Sequence, residues 1–426
     1  MATEVGLTPR RVAGARNADL IVFTVNGFAL ASWMSRIPDI RQTLNLTPGQ
    51  LSLLLLAVSA GSLIGLPLAG RIAHKYGAAW TVRLGMFLAM PGQALAAVAV
   101  QFTHSPWFVV PGLVLVGLGN GIWDVSQNFE GTRVETALGK AIMPWFHAGF
   151  SGGTVLAALI GAGLTQLGVP ILLHMGVVVA LAAAAVLWGT SQFLPRLDEG
   201  VDADTHAASL KGQRSAWTEP RTLLVGTIVL AAAFAEGTAN DWMAVAFVDG
   251  HQVSKSLGVL AFAVFLTFMT AGRILGTGLL DKYGRVVVLR VLFGMAIVGC
   301  ALVVFGPTWL AYIGAAIWGV GASLGFPVGM SAAADDPARA PLRLSVVTTI
   351  GYSAFLAGPP LLGLLGDHFG VLKALTVVGA LSLLAMLVVP VAKPLQVSED
   401  WPKLRETTCA VRETSCAVRE TSCAHR

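Results

Sequence analysis

The chain has 426 residues, of which 55% are hydrophobic and 12% are charged, and its formal net charge is +5. Soluble domains carry about 25% charged residues, so this composition excludes an ordinary soluble protein and indicates a chain embedded in a lipid bilayer. Twelve apolar windows are long enough to cross the hydrocarbon core as helices and far too long for barrel strands. We therefore predict an all-α integral membrane protein with twelve transmembrane helices, called spans 1 to 12. The windows are 18–38, 50–70, 80–100, 107–128, 143–164, 170–193, 222–247, 257–278, 286–306, 308–331, 345–366 and 371–392.

The spans fall into two groups of six. Residues 1–17 are expected to form a cytoplasmic N-terminus and residues 18–194 the first six-helix half. Residues 195–221, acidic and then basic, are typical of a linker, and residues 222–392 form the second half. The remaining tail, 393–426, contains the seven-residue repeat RETTCAV-RETSCAV-RETSCAH. Its apolar residues are adjacent rather than spaced for a coiled coil, so we predict a disordered tail.

The basic residues predict the orientation of the chain. Of the 28 Lys and Arg residues, 23 fall in or beside the N-terminus, the even-to-odd loops and the C-terminal tail, and 4 fall in the other loops. Basic residues are enriched on the cytoplasmic side of a membrane. Both termini are therefore expected to be cytoplasmic. The net positive charge follows from this topology and does not indicate nucleic-acid binding.

Several short motifs occur twice at a nearly constant spacing. Lys75-Tyr76-Gly77 returns 207 residues later as Lys282-Tyr283-Gly284, and Gly117-Leu118-Gly119 returns 202 residues later as Gly319-Val320-Gly321. Further matches link span 5 with span 11 and span 1 with span 7. Chance matching of glycine-rich helices could explain one such pair, but hardly four pairs in the right order. Two homologous halves of six spans describe the major facilitator architecture.

The first repeated stretch also resembles the cytoplasmic loop motif of the major facilitator superfamily, Gly-x-x-x-Asp-x-x-Gly-Arg. The first copy has His74 in place of the acid, and the second has Thr277 in place of the first glycine. The resemblance implies a cytoplasmic gate, in which glycine permits a tight turn and the acid accepts hydrogen bonds; a plain basic loop is the alternative. We expect the copy with His74 to hold the gate more weakly. The predicted gate residues are Gly70, His74, Gly77, Arg273, Asp281, Gly284 and Arg285.

Three longer segments narrow the resemblance. They are NGIWDVSQNFEGTRVETALGKAIMPWFHAGFSGG in spans 4 and 5, EGTANDW in span 7, and GFPVGMSAAADDP with VVTTIGYSAFLAGPPLLG in spans 10 and 11. Together they resemble the MosC-like branch of the superfamily (rhizopine-locus membrane proteins), near the fucose permeases. The arginine of span 4 that is typical of drug antiporters is missing, which argues against an ordinary multidrug antiporter.

Polar side chains are concentrated on spans 1, 4, 5 and 7. In span 4, Asn120, Asp124 and Asn128 recur every four residues, so they share a face that must avoid lipid. Such faces predict a polar cavity between the two halves. The predicted cavity residues are Asn26, Trp33, Asn120, Asn128, Ser151, Asn240, Asp241 and Tyr352.

Ionisable side chains inside spans cost about 2.5–3.5 kcal/mol on insertion scales, so a functional role is the default hypothesis. Glu236, near the middle of span 7, is the first candidate for proton coupling, followed by Asp124 and His147. The alternatives are a neutral hydrogen-bonded Glu236, a solvated Asp124 near a helix end and a packing role for His147. Arg36 is expected to be a solvated arginine at the outer mouth.

The motifs that are missing limit the energy source. The sequence has no phosphate-binding Gly-x-x-x-x-Gly-Lys-Ser/Thr motif and no His-Cys spacing typical of a metal site. We therefore predict that the protein is not an enzyme and that it needs neither a metal nor a cofactor. The predicted energy source is the proton gradient. The predicted function is a secondary active transporter that moves a small polar metabolite by alternating access. Efflux of a drug or secondary metabolite, or a non-transporting sensor or accessory protein with the same fold, are the alternatives.

The predicted setting follows from these properties. We expect a multi-pass protein of a prokaryotic cytoplasmic (inner) membrane. Its partners are expected to be a small-molecule substrate and the lipid bilayer, and the protein is expected to be a monomer.

Overall fold

A computed structural model describes residues 8–140, 142–195, 216–336 and 339–395. Eleven of the described helices are long and apolar enough to cross a membrane. The spans, in order, are Pro9–Met34, Pro48–Tyr76, Ala78–Phe102, Pro106–Leu138, Met143–Gln166, Ile171–Ser191, Pro220–Gly250, Lys255–Phe305 (two spans), Thr308–Ala322 with Gly325–Ala333, Ala340–Phe369, and Val371–Ala374 with Thr376–Val388. A short helix, Ile37–Thr43, follows span 1, and a 3₁₀ turn, Val389–Ala392, follows span 12. Residues 196–215 of the predicted linker and the repeat-containing tail beyond residue 395 lie outside the described residues.

The longest helix, Lys255–Phe305, consists of spans 8 and 9. Its 51 residues would extend about 77 Å at 1.5 Å per residue, more than twice the thickness of the hydrocarbon core. The chain turns at Gly284, whose φ of 75° and ψ of 164° are not helical. Gly77 has nearly the same angles, φ 84° and ψ 161°, between spans 2 and 3. These angles favour glycine strongly, so the repeated loop motif builds the same turn in both halves, and the number of spans is twelve as predicted.

The packing inside each half repeats as well. A Cβ atom on Gly92 would lie 2.7 Å from the carbonyl oxygen of Gly112, and one on Gly299 would lie 2.7 Å from that of Gly314. Spans 3 and 4 therefore cross backbone to backbone, as spans 9 and 10 do. In the same way Gly117 packs against the carbonyl of Val58, and Gly319 against that of Phe265. These equivalent crossings explain in physical terms why the glycines recur in the sequence.

Helix starts are encoded locally. Span 1 begins at Pro9, nine residues before the apolar window predicted from hydropathy, because the Thr8 side chain caps it by accepting a hydrogen bond from the Arg11 amide. Span 2 begins at Pro48 after a capping box formed by Thr47 and Gln50. Hydropathy detects only the part of a helix that is apolar enough for lipid, so it misses the polar first turns.

An even number of spans places both ends of the helical region, Pro9 and Ala392, on one face. We call this the terminal face and the opposite one the distal face. At the distal face the two halves are in direct contact through Arg41–Asp249, Lys255–Asp39, Ser256–Gln166 and Gly49–Asp367. A buried apolar cluster beneath these contacts contains residues of both halves, among them Trp33, Ile37, Leu54, Trp242, Phe247 and Phe262.

The terminal face is different. There, each ion pair that the structure describes stays within one half: Arg133–Glu130, Arg221–Asp335, Arg285–Asp335, Arg339–Glu219, Arg343–Glu219 and Arg343–Asp336. His147 of span 5 is exposed, and Arg273 retains 30% exposure of its side chain in the middle of the bundle. The halves are thus closed together at the distal face, and the cleft between them opens toward the terminal face.

Candidate functional site

The C-terminal half contributes an ion pair to the middle of the cleft. The Glu236 carboxylate of span 7 lies 2.7 Å from a guanidinium nitrogen of Arg273 in span 8. Arg273 Nε also donates to the carbonyl oxygen of Ser323, at 3.2 Å. That carbonyl has no helical partner because the residue four positions later is Pro327, which lacks an N–H group. Proline thus interrupts span 10 at the point where Arg273 binds it.

This position differs from the predicted role of Arg273. The sequence placed Arg273 in the gate because it lies eight residues before Asp281. Eight residues of helix correspond to about 12 Å, which moves Arg273 from the loop to the level of Glu236. Its two described hydrogen-bond partners, the Glu236 carboxylate and the Ser323 carbonyl, lie in the interior of the bundle.

The N-terminal half contributes a carboxylate without a cation. Asp124 Oδ1 of span 4 accepts a hydrogen bond from Gln127 Nε2 at 3.1 Å, and Asn128 Nδ2 donates to the Asp124 carbonyl oxygen at 2.8 Å. Gln127 is fully buried, while Asn120, Asp124 and Asn128 are partly exposed. The four-residue spacing therefore gives the polar face expected from the sequence, but its described hydrogen bonds stay within span 4.

Two pairs of side chains face each other across the cleft. Asp124 interacts electrostatically with Tyr352 of span 11, and His147 of span 5 with Arg273 of span 8. Tyr352 packs its ring near those of Phe326 and Phe355, with both centroid distances at 6.3 Å. The structure thus brings all three predicted proton-coupling residues to the same cleft.

Asn240 and Asp241 of span 7 are placed on different faces, as their adjacency requires. Asn240 is partly exposed, yet its Oδ1 is buried and has no hydrogen-bond partner in the described part of the chain. Asp241 lines a small cavity with Thr238, Phe355 and Pro359, large enough for about one water molecule. Asp241 therefore faces span 11 rather than Arg273.

The other predicted cavity residues are buried in this conformation. Asn26 is 1% exposed, and Ser151 is 3% exposed. They lie where spans 1 and 5 cross closely, since Gly27 packs against the Phe150 carbonyl. Trp33 belongs to the apolar cluster that closes the distal face. None of these three side chains lines the open cleft here.

The predicted gate residues occupy the terminal face. Gly77 and Gly284 form the turns described above, whereas Gly70 lies inside span 2 with open space around the position of a Cβ, so no close contact there requires glycine. His74 and Asp281 are both exposed, and within the described ranges neither has a recorded side-chain hydrogen bond or ion pair. Arg285 instead binds Asp335 at 2.6 Å.

Asp335 is a residue whose role the sequence analysis missed. It accepts Arg285 on one oxygen and Arg221 on the other, the latter at 2.8 Å. The signal was present, because the acidic pair Asp335-Asp336 ends span 10 beside a basic loop. Asp335 thereby ties together the terminal ends of spans 7, 9 and 10.

The expectation of a solvated Arg36 is wrong. Arg36 is 2% exposed, and its guanidinium donates to His174 Nδ1 at 3.0 Å, Asp39 Oδ2 at 2.8 Å and the Val169 carbonyl at 2.8 Å. Hydropathy placed Arg36 correctly at the end of span 1, but it could not show that span 6 covers it. Asp39 in turn binds Lys255 of the other half at 2.7 Å.

Two further acids were missed altogether. Asp19 of span 1 and Glu130 of span 4 are both 0% exposed, and they interact with each other electrostatically. Asp19 was overlooked because it stands at the polar edge of the first apolar window. Glu130 lies within one of the segments that resemble the MosC-like branch, and no local pattern marks it as a buried charge.

With the fold and site in place, comparison with known proteins identifies the family. A family model for the Major Facilitator Superfamily matches residues 20–337 and 251–413. The chain belongs to the major facilitator superfamily. Among its superfamily relatives, the uncharacterized transporter y4wD of Sinorhizobium fredii is 30% identical over 373 residues, covering 87% of this chain and 96% of the relative. Membrane protein MosC of Rhizobium meliloti is 26% identical over 355 residues, with coverage of 83% and 84%.

Solved structures of the superfamily share the fold. A variant of the nucleoside transporter NupG superposes with a TM-score of 0.73 at 14% identity, covering 88% of this chain and 99% of that one. A variant of the E. coli fucose:proton symporter FucP gives a TM-score of 0.62 at 16% identity, covering 90% and 98%. These matches confirm the predicted superfamily and fold. The protein is a multi-pass membrane transporter of the major facilitator superfamily.

Proposed function

We propose that this transporter moves a small polar metabolite by alternating access and couples that movement to protons. The observation that carries the proposal is the group of ionisable side chains in the middle of the cleft, where the Glu236–Arg273 ion pair at 2.7 Å lies opposite Asp124 and His147. Charged groups at this depth are energetically costly, so a functional role is the default hypothesis. The fucose symporter and nucleoside transporter with the same fold are named for small polar molecules, which supports the same substrate class here.

The two acids of the cleft have different proposed roles. Asp124 has only amides and a tyrosine around it in the described structure, so binding a proton removes an uncompensated charge from the bilayer interior. Protonation of Glu236 would instead break an ion pair and leave Arg273 unbalanced. We therefore assign proton binding first to Asp124. Glu236 and Arg273 present one acceptor and several donors, which suits a substrate with hydroxyl groups.

Alternating access follows from the two faces. Contacts between the halves at the distal face hold the present conformation, and the terminal-open cleft exposes the polar groups to one side. In the proposed orientation the terminal face is cytoplasmic, in a prokaryotic inner membrane, and a single chain contains the complete cleft. A proton or substrate that binds one conformation more tightly shifts the population toward it.

The decisive experiment is transport into proteoliposomes. The purified protein would be reconstituted and supplied with radiolabelled nucleosides, pentoses and 6-deoxyhexoses, with and without an imposed pH gradient. Saturable accumulation that collapses when the gradient is removed supports the proposal, and Asp124→Asn serves as the matched variant. Saturable transport that is indifferent to pH in the wild type would overturn proton coupling. The sign of the gradient that drives movement distinguishes uptake from efflux.

A further inference from the structure

Asp19 is a buried carboxylate without a hydrogen-bond partner. It is 0% exposed, and neither of its side-chain oxygens has a partner in the described part of the chain. Asp19 lies on the face of span 1 that also carries Ala15 and Phe23, one turn away on either side. These neighbours belong to an apolar cluster that is completed by Val12, Val134, Phe146 and Leu194. Among the described residues, the surroundings of Asp19 therefore supply no hydrogen-bond donor to its carboxyl group.

The charged residue described as interacting with Asp19 is Glu130 of span 4. A Cβ atom on Gly131 would lie 3.2 Å from Asp19 Oδ2, so the carboxyl rests against the backbone beside Glu130. Glu130 already uses both oxygens: Oε1 accepts the Leu194 amide at 2.6 Å, and Oε2 accepts Arg133 Nη1 at 3.0 Å. Arg133 also donates to the carbonyl oxygens of Leu194 and Pro195. Of the two carboxyl groups, only that of Glu130 is hydrogen-bonded to Arg133 in the described structure.

Within the described ranges, no other titratable group is paired with Asp19. On span 1, Arg16 is exposed and bonded to Asn17, and Arg11 donates to the Phe193 carbonyl. On span 5, His147 contacts Phe23 edge-on, with ring centroids 5.5 Å apart. The described end of span 6 beside the site, residues 186–195, contains no titratable side chain. With both acids ionised, the site would hold a buried negative charge without a partner, which proteins avoid by binding a proton.

We propose that Asp19 and Glu130 form a proton-binding site, separate from the central cleft, that holds one shared proton when the cleft is open to the terminal face. Two carboxyl groups that interact strongly with each other titrate as a pair. The proton comes from water on the terminal side, past the partly exposed Arg133 side chain, and returns there. The inference rests on the alternating-access function proposed above.

The site is connected to the movement of the halves. Glu130 and Arg133 hold Leu194 and Pro195, the last described residues before the segment that joins the two halves. A proton that binds this conformation more tightly than its alternative stabilises it by mass action. Acidification of the terminal side is therefore expected to increase the terminal-open population, and alkalinisation to decrease it.

Infrared spectroscopy tests the protonation directly. The protein in lipid nanodiscs would be titrated, and the C=O stretching band of protonated carboxyl groups compared between wild type and Asp19→Asn. The expected result is the loss of one protonated-carboxyl band near neutral pH. Asp124→Asn is the matched variant, and it should leave this band in place. Identical protonated-carboxyl bands in wild type and Asp19→Asn would overturn the proposal.

A second variant covers the case in which Asp19→Asn does not fold. Glu130→Gln removes the like charge and frees Arg133, so the remaining band is expected to shift in frequency or titration midpoint. An unchanged band would show that the two carboxyl groups do not share a proton.

A distance measurement tests the link to conformation. Spin labels on Lys140→Cys and Lys282→Cys, both exposed at the terminal face, would report its opening as pH is varied. The pH response is expected to flatten in Asp19→Asn, and an unaltered response would refute the link. Neither the infrared nor the spin-label measurement requires transport. A negative result in either therefore leaves the proposed function standing, and a negative transport assay leaves the infrared result interpretable.

Discussion

Lys255 and Asp39 form a 2.7 Å ion pair between the two halves of the protein. Asp39 also accepts a hydrogen bond from Arg36, whose guanidinium donates a second hydrogen bond to His174 of span 6. With Arg41–Asp249 beside it, this pair connects the ends of spans 1 and 2 to those of spans 7 and 8. The distal closure of the cleft thus depends on charged residues that belong to none of the repeated loop motifs.

Removing the two cations should open the distal face. In Lys255→Gln/Arg41→Gln, two partly exposed ion pairs are lost, each worth roughly 0.2–1 kcal/mol, so the ratio of terminal-open to distal-open molecules should fall by about two- to thirtyfold. Spin labels on Leu167→Cys and Trp309→Cys, exposed on opposite halves, would measure the distal distance. Lys373→Gln, an exposed distal lysine, is the matched control and should have no effect. An unchanged distance distribution in the double variant would mean that the ion pairs do not hold this face.

Neutralising the cleft acids should give two different phenotypes. Asp124→Asn cannot titrate, so it should lose accumulation driven by a pH gradient and keep substrate exchange. Glu236→Gln leaves Arg273 without its partner, so accumulation and exchange should fall together, and Glu236→Gln/Arg273→Gln should recover part of the exchange. Transport into proteoliposomes measures both activities. Normal gradient-driven accumulation in Asp124→Asn would remove it from coupling.

Arg36 should be important for stability rather than for substrate capture. Arg36→Gln removes the charge that His174, Val169 and Asp39 surround, and disrupting a buried pair of this kind costs about 3–5 kcal/mol. Thermal unfolding in detergent should therefore begin at a clearly lower temperature than in the wild type. A melting curve that overlays the wild type would show that water replaces the guanidinium without cost.

The glycines of the loop motif should not be equivalent. Gly284 has φ 75° and ψ 164°, a conformation that costs other residues about 1–3 kcal/mol, so Gly284→Ala should lower stability. Gly70→Ala should be nearly neutral, since Gly70 is helical and has open space around it. Thermal unfolding of the two variants side by side makes the comparison. Equal losses would contradict the conformational explanation.

The acids of the terminal face give a further comparison. Asp335→Asn should loosen the ends of spans 7, 9 and 10 in the present conformation, because Asp335 binds Arg221 and Arg285. Asp281 has no described partner in this conformation. If the Asp281 side chain binds a partner when the terminal face closes, Asp281→Asn should destabilise the closed state and so raise the terminal-open population. The spin-label pair at Lys140 and Lys282 reports this change. If Asp281→Asn and His74→Ala shift the distance equally, the predicted asymmetry between the two gate copies is wrong.

The sequence predicted the parts of the structure that depend on local patterns. The apolar windows predict the twelve spans, and the repeated glycine motifs predict the two homologous halves. Both predictions are reliable because each pattern occurs many times along the chain. Glu236 and Asp124 are singled out by the sequence as charges at depth, whereas Arg273 is assigned to the gate. Their pairing was not predictable, since Glu236 and Arg273 are 37 residues apart and the rotation of one span against another leaves no local pattern.

Burial of charge was the least predictable property. Arg36 and His174 are separated by 138 residues, so nothing near Arg36 in the chain shows that it is covered. Asp19 stands at the polar edge of the first apolar window, where an acid is ordinarily solvated. In both cases the environment is made by distant spans, and only the packed structure reveals it.

The reciprocal glycine crossings have a mechanical consequence. Gly92 with Gly112, and Gly299 with Gly314, bring backbones together with no side chain between them, and such contacts cannot slide or lengthen without opening a void. Each group of crossed spans should therefore move as a rigid body. The deformation that transport requires is then confined to the seam between the halves, where long polar side chains can exchange partners without unpacking either half.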